Sequence, residues 1–227
     1  MNTRTAEEAK ESYIAVMGEP LGALFHSLWQ ELAWLFRKWD NYVALFGSKP
    51  SRVDLLNKSA PGFFRIVQDA LWEGILLHIA RLTDPPNSVG KPNLTTQRLH
   101  LLVTDTAVAQ RVKVLTDKAI EAATFCRDWR NRRIAHSDLS LAVDSHPIPL
   151  APASREHVIV ALNSLVEVLN AVTKHYMDTT TVFDLGYQGD VVSLLYTLDD
   201  GLRGQAERRT RLERGETRDD DFHRRDL

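Results

Sequence analysis

The chain has 227 residues, 44% of them hydrophobic, with a formal net charge of -2 and a pI near 6.4. That is enough apolar material for one sizeable core and too little positive charge to hold a polyanion through the molecule as a whole, so any such site has to be a local basic patch. The single Cys126 excludes an intramolecular disulfide, and no cluster of Cys and His has structural-zinc spacing. The apolar stretches are broken by Gln30, Glu31, Arg37 and Lys38, so neither a leader nor a membrane span is expected, and the setting reads as cytoplasmic.

Along the chain, Leu24, Leu28, Leu32, Leu35, Trp39 and Val43 recur at three- and four-residue steps, which predicts an amphipathic helix from Pro20 to Phe46, ended by Gly47 and Pro50. Ser51 is placed to cap a short helix through Leu56. Pro61 suits the first turn of the next helix, which runs to about Thr83 over Phe64, Val67, Leu71, Ile75, Ile79 and Leu82. A loop follows from Pro85 to Asn93, then a short helix near Thr96 to Val103. Asp105 starts a long helix that carries Val108, Val112, Leu115, Ala119 and Cys126 and delivers the chain to Arg130.

Three prolines, Pro147, Pro149 and Pro152, make Asp138 to Ala153 a loop of unusual length. Ser154 caps a further helix through Tyr176, and a last helix starts near Val191. This is an all-α pattern without repeats, expected as one domain over residues 1–200. From Arg203 onward eight arginines face seven acidic residues with little apolar area, so 201–227 is expected to be a frayed helix passing into disorder.

Arg127, Arg130, Arg132 and Arg133 form a dense cationic patch at a helix end, with His136 just beyond. Residue types alone leave two readings open. Cations at a helix C-terminus complement its dipole and are commonly just solvated. Metal-free RNA cleavage, on the other hand, needs a base for the ribose 2′-hydroxyl, an acid for the leaving 5′-oxygen and a fixed cation for the phosphorane. His suits the first two roles and Arg the third.

Arg130-Asn131, four residues, then His136 resembles the motif of the HEPN superfamily, in which Arg, a polar residue and four to six spaced positions precede His at a helix end. Leu28-Trp29-Gln30-Glu31, Lys38-Trp39, Asp54-Leu55-Leu56-Asn57, Phe63 to Asp69, His78 to Pro85 and Asn93-Leu94-Thr95 are similar to its abortive-infection U-type (AbiU2-like) subgroup, over roughly residues 15 to 180. The resemblance implies an all-α, HEPN-type helical bundle that dimerises with two motifs facing one cleft and cuts RNA without metal or other cofactor, in phage defence or as a toxin with an antitoxin or nucleotidyltransferase partner. It further implies that Arg130 stabilises the transition state, that His136 is acid or base, and that Asn131 orients His136 or touches RNA.

Other residues carry weaker expectations. Arg127, Arg132, Arg133 and Trp129 are candidate RNA contacts, Trp129 as a stacking surface, while the remaining tryptophans read as core. Asp138 sets the tautomer of His136 or caps a local turn. His78, with Arg81 and Asp84, forms a supporting network or is simply hydrogen-bonded structure. Asp69 and Glu73 read as ion-pair partners rather than metal ligands. Besides the enzyme, a non-catalytic dimer that binds RNA, nucleotide or a partner protein stays open.

Overall fold

The computed structural model, which describes residues 5–144, 146–183 and 189–221, begins with a helix that the mixed charge of the N-terminal stretch conceals. Thr5 and Glu8 cap each other, the hydroxyl accepting from Glu8 N at 3.2 Å and the carboxylate from Thr5 N at 2.7 Å, and α1 runs Ala6–Met17. Gly18, at φ 83, turns the chain into α2 (Glu19–Tyr42). At Gly22 a Cβ would sit 2.6 Å from the backbone of Ile14, so only glycine allows α1 to approach this closely.

The α2 stripe is buried at Leu28, Leu32, Leu35 and Trp39, as its periodicity requires. A π-helical turn, Val43–Gly47, ends it, and α3 covers Pro50–Ser59. Ser51 is not the cap of α3: Lys49 holds that position without a side-chain bond, and Pro50 starts the helix because its missing N–H has no partner there anyway. α4 then runs Pro61–Leu82.

The expected loop after α4 contains a minimal antiparallel hairpin, β1 (Asn87–Ser88) and β2 (Lys91–Pro92). Val89 and Gly90, both at positive φ, make its turn. A 3-10 turn, Thr96–Arg98, leads into α5 (Leu99–Leu102), and α6 (Thr106–Ala122) starts from Asp105, which accepts from Val108 N at 2.9 Å. The helix expected to continue to Arg130 is broken at Ala123, where the Thr124 hydroxyl takes up Glu121 O at 2.7 Å and competes with the helical bonds. α7 (Thr124–Trp129) and a second π-turn, Arg130–Ile134, follow. α8 (Leu139–Val143) lies inside the proline-rich loop, α9 covers Arg155–Met177 with Ser154 as its cap, and α10 covers Gly189–Glu213.

The chain divides into two compact units, Met1–Asp40 with Asp69–Gly186 and Asn41–Gln68 with Tyr187–Leu227, so α2 and α4 each contribute to both. In the first unit α9 packs mainly on α6, burying Val158, Leu162, Leu165, Leu169 and Val172. Among the described residues α9 is the one helix long and apolar enough to cross a membrane, and half of that window is buried in this core. Trp34 departs from the expected core role, being 60% exposed.

In the second unit α10 packs on α3 and on the Val43–Gly47 turn. The helical part of the expected tail is the end of α10, which runs to Glu213. Opposite charges one turn apart, Asp199 with Arg203 at 2.7 Å and Arg209 with Glu213 at 3.0 Å, support it where apolar area is lacking. Asp221 then folds back onto Arg208 and Arg211. The last part of the expected tail, 222–227, lies outside the described residues.

Candidate functional site

The site rests on the C-terminus of α4. A helix end leaves carbonyls without helical partners, and here residues of the following segment supply them. Leu82 O accepts from the Thr96 hydroxyl at 3.0 Å and Thr83 O from Gln97 Nε2 at 3.0 Å, while the single proton of the Thr95 hydroxyl is shared between Asp84 O at 2.7 Å and Leu82 O at 3.1 Å. Thr83 and Thr95 are fully buried. This rigid end presents the Asp84 carboxylate.

Each arginine of the motif cluster has a defined task. Arg130 Nη1 donates to both oxygens of Asp84, at 2.5 and 2.6 Å, and its Nε to Asn131 Oδ1 at 3.0 Å. Its Nη2 has no partner among the described residues. Arg127 donates through Nη2 to Thr83 O at 3.2 Å, tying α7 to the same platform. Arg133 Nε donates to Glu73 Oε1 at 3.2 Å, and its guanidinium lies 5.9 Å from the ring centre of Trp129.

Arg132 is the most heavily engaged. Its Nε donates to Asp138 at 2.9 Å, Nη2 to Ile148 O at 2.7 Å and Nη1 to Pro149 O at 3.3 Å, with Asp128 at 3.5 Å. It therefore holds the proline-rich loop rather than facing outward. Trp129 does the same work, donating from Nε1 to Ala151 O at 2.8 Å, while Ala151 N donates to Asp128 at 2.7 Å.

His136 leaves the π-turn in a bend, is exposed, and has no hydrogen bond or ion pair among the described residues. Asp138 does not contact it. One Asp138 oxygen takes Arg132 and the other takes the N–H and hydroxyl of Ser140, both at 2.9 Å, so Asp138 caps α8, and these donors hold its carboxyl below the usual range. A cavity of about 330 Å³ opens beside the motif, with Glu73, Arg133 and Ser137 on its walls and Leu141 and Ala142 as its apolar part.

His78 is buried away from Asp84's pairing. Its Nε2 lies 2.7 Å from Glu31 Oε2 and its Nδ1 3.3 Å from Lys38 Nζ. Burial, helped by the Lys38 cation and against the pull of Glu31, pushes its pKa down to about 4, so the ring is neutral, with Nδ1 accepting from Lys38 and the Glu31 carboxylate lying beside Nε2. Cys126 is buried and its thiol is pushed up to about 12, which makes it inert as a nucleophile. Among the described residues no three His, Cys, Asp or Glu side chains converge to hold a metal ion.

Sequence reasoning had Asp84 near the site but assigned it to His78, and it missed Glu73 as the partner of Arg133 and Thr83 as that of Arg127. The signal for Asp84 and Thr83 was present in His78 to Pro85 and Asn93 to Thr95, whose similarity to one family reflects a helix end and the side chains that satisfy it.

No curated protein and no solved structure shows significant similarity to the chain. The family profile that does match, described as AbiU2 of the HEPN type, covers residues 18–192, from the start of α2 into α10 and across every residue of the site. With an all-helical architecture and the Arg130–His136 segment at a helix end, the chain belongs to the AbiU2 family of HEPN proteins.

Proposed function

We propose that this protein is a metal-independent endoribonuclease of the HEPN type, acting in the cytoplasm as a homodimer in phage defence or as the toxin of a toxin–antitoxin pair. The observation that carries this reading is the state of Arg130 and His136. Asp84 and Asn131 fix the Arg130 guanidinium from two sides and leave Nη2 open, the arrangement a preorganised phosphate contact needs. His136 is exposed with both ring nitrogens uncommitted, as acid or base work near neutral pH demands.

In such a reaction one imidazole removes the ribose 2′-proton, the 2′-oxygen attacks phosphorus, and a protonated imidazole gives its proton to the departing 5′-oxygen. The products are a 2′,3′-cyclic phosphate and a 5′-hydroxyl. Two copies of the chain would supply the two imidazoles. Arg130 would hold the extra negative charge.

The test is cleavage of tRNA and mRNA by the purified protein in EDTA. His136→Ala is expected to remove cleavage and cellular toxicity while the melting temperature stays unchanged; if wild type leaves both RNAs intact and His136→Ala is as toxic as wild type, the catalytic reading is lost. A second reading draws on the Asp84 carboxylate, which offsets the Arg130 charge. In it the same dimer binds RNA, nucleotide or a partner protein without cutting, and binding then survives His136→Ala.

A further inference from the structure

The cavity beside the motif carries an asymmetric set of hydrogen-bonding groups. Glu73 gives one oxygen, Oε1, to Arg133 and leaves Oε2 without a partner among the described residues. Arg133 spends only Nε on that bond, so its two amino groups stay free beside the acceptor. Leu141 and Ala142 supply an apolar surface, and Ser137 a hydroxyl. At about 330 Å³ the space is at the small end for ligand sites and suits one planar base with its sugar.

We infer that this pocket binds a guanine base of an RNA strand, with Glu73 as the residue that selects it. Guanine presents two adjacent donors, N1–H and the N2 amino group, and a carboxylate oxygen accepts from both; its O6 and N7 acceptors match the paired donors of an arginine. Adenine and cytosine turn a ring-nitrogen lone pair toward the carboxylate and are repelled. Uracil offers one N–H flanked by two carbonyls and is intermediate. Arg132 and Asp138, also on the wall, are occupied with each other and with the loop, so they shape the pocket without reading the base.

The inference takes its strand from the ribonuclease reading, but base choice is a binding property and is measured apart from cutting. Fluorescence anisotropy with fully 2′-fluoro oligonucleotides, which lack the attacking hydroxyl, compares an all-adenine decamer with the same decamer carrying one central guanine or hypoxanthine. Wild type is expected to bind the guanine decamer about tenfold more tightly than the adenine one, with hypoxanthine between them because it lacks the N2 amino group. Glu73→Gln should bring the three to within about twofold while the far-ultraviolet dichroism is unchanged.

Ala142→Trp, which fills the pocket, should do the same, and decides the matter if Glu73→Gln does not fold. Equal binding of the three decamers by wild type, no binding of any, or a guanine preference that survives both substitutions would overturn the inference. Guanine-selective binding without cleavage of the matching all-ribose strand refutes the catalytic reading alone, and cleavage without base selectivity refutes only the pocket.

Discussion

Arg127, Arg130, Arg132 and Arg133 in the first unit, and Arg203, Arg208, Arg209 and Arg211 on α10 in the second, are both arginine clusters, but their partners come from different distances along the chain. Arg130 reaches Asp84 46 residues away, Arg133 reaches Glu73 60 residues away, and Arg127 reaches Thr83 44 residues away. On α10 the pairs are one turn apart, or ten and thirteen residues from Arg211 and Arg208 to Asp221. Local pairs stabilise a helix by a few tenths of a kcal/mol and leave the charges solvated. Distant pairs fix a guanidinium in space, and in the first cluster they hold Arg130 with one amino group open.

The largest expected effect separates the two units by their response to acid. The unfolded His78 imidazole takes up a proton as pH falls below about 6.5, whereas the folded ring, facing Glu31, Lys38 and Arg81, does so only near 4. The unfolded state thus binds more protons in that window, and the first unit loses stability as pH falls across it, by up to about 3 kcal/mol. Asp221 behaves at lower pH. Arg211 holds its carboxyl at about 2, so its contribution is present above the usual carboxylate range and is lost only as pH drops toward 2. Hydrogen exchange at pH 5 should therefore show α4 opening while α10 stays protected, and His78→Gln should flatten the first loss; the reverse order would break the comparison.

Asp84→Asn tests the anchoring itself. It leaves the Arg130 charge in place and removes the carboxylate that orients it, so kcat for RNA cleavage should fall about tenfold without a rise in KM; an unchanged kcat would make Asp84 a structural partner only. A smaller change is expected from Arg132→Met, which frees Ile148, Pro149 and Asp138. Limited proteolysis should cut between residues 138 and 153 several-fold faster, with α9 intact. Arg209→Met, the matched substitution on α10, should change neither cleavage rate nor proteolysis by as much as twofold.

Much of this arrangement could be read in the sequence where the cause is local. Asp105 and Ser154 are caps because their oxygens reach the N–H groups three residues on, and the α9 stripe follows from its period. α1 carried an equally local signal in Thr5 and Glu8 that the surrounding charges obscured. The break at Ala123 and the two π-turns depend on backbone competition that periodicity does not register. Pairings such as Arg133 with Glu73 are beyond local reading, because nothing within either helix encodes which residue of the other it will meet. Hence the motif stood out through likeness to a family, and the tasks of its individual arginines did not.

The π-turn from Arg130 to Ile134 closes with Ala135 N on Arg130 O at 2.8 Å, a ring one residue larger than that of an α-helix. The turn thus holds a spare residue. A spacer one residue shorter would be absorbed by tightening this turn to α winding, leaving Arg130 on its Asp84 anchor and Arg127 on Thr83. Seen this way, the π-turn is winding slack: the histidine can be re-aimed without disturbing the arginine's seat.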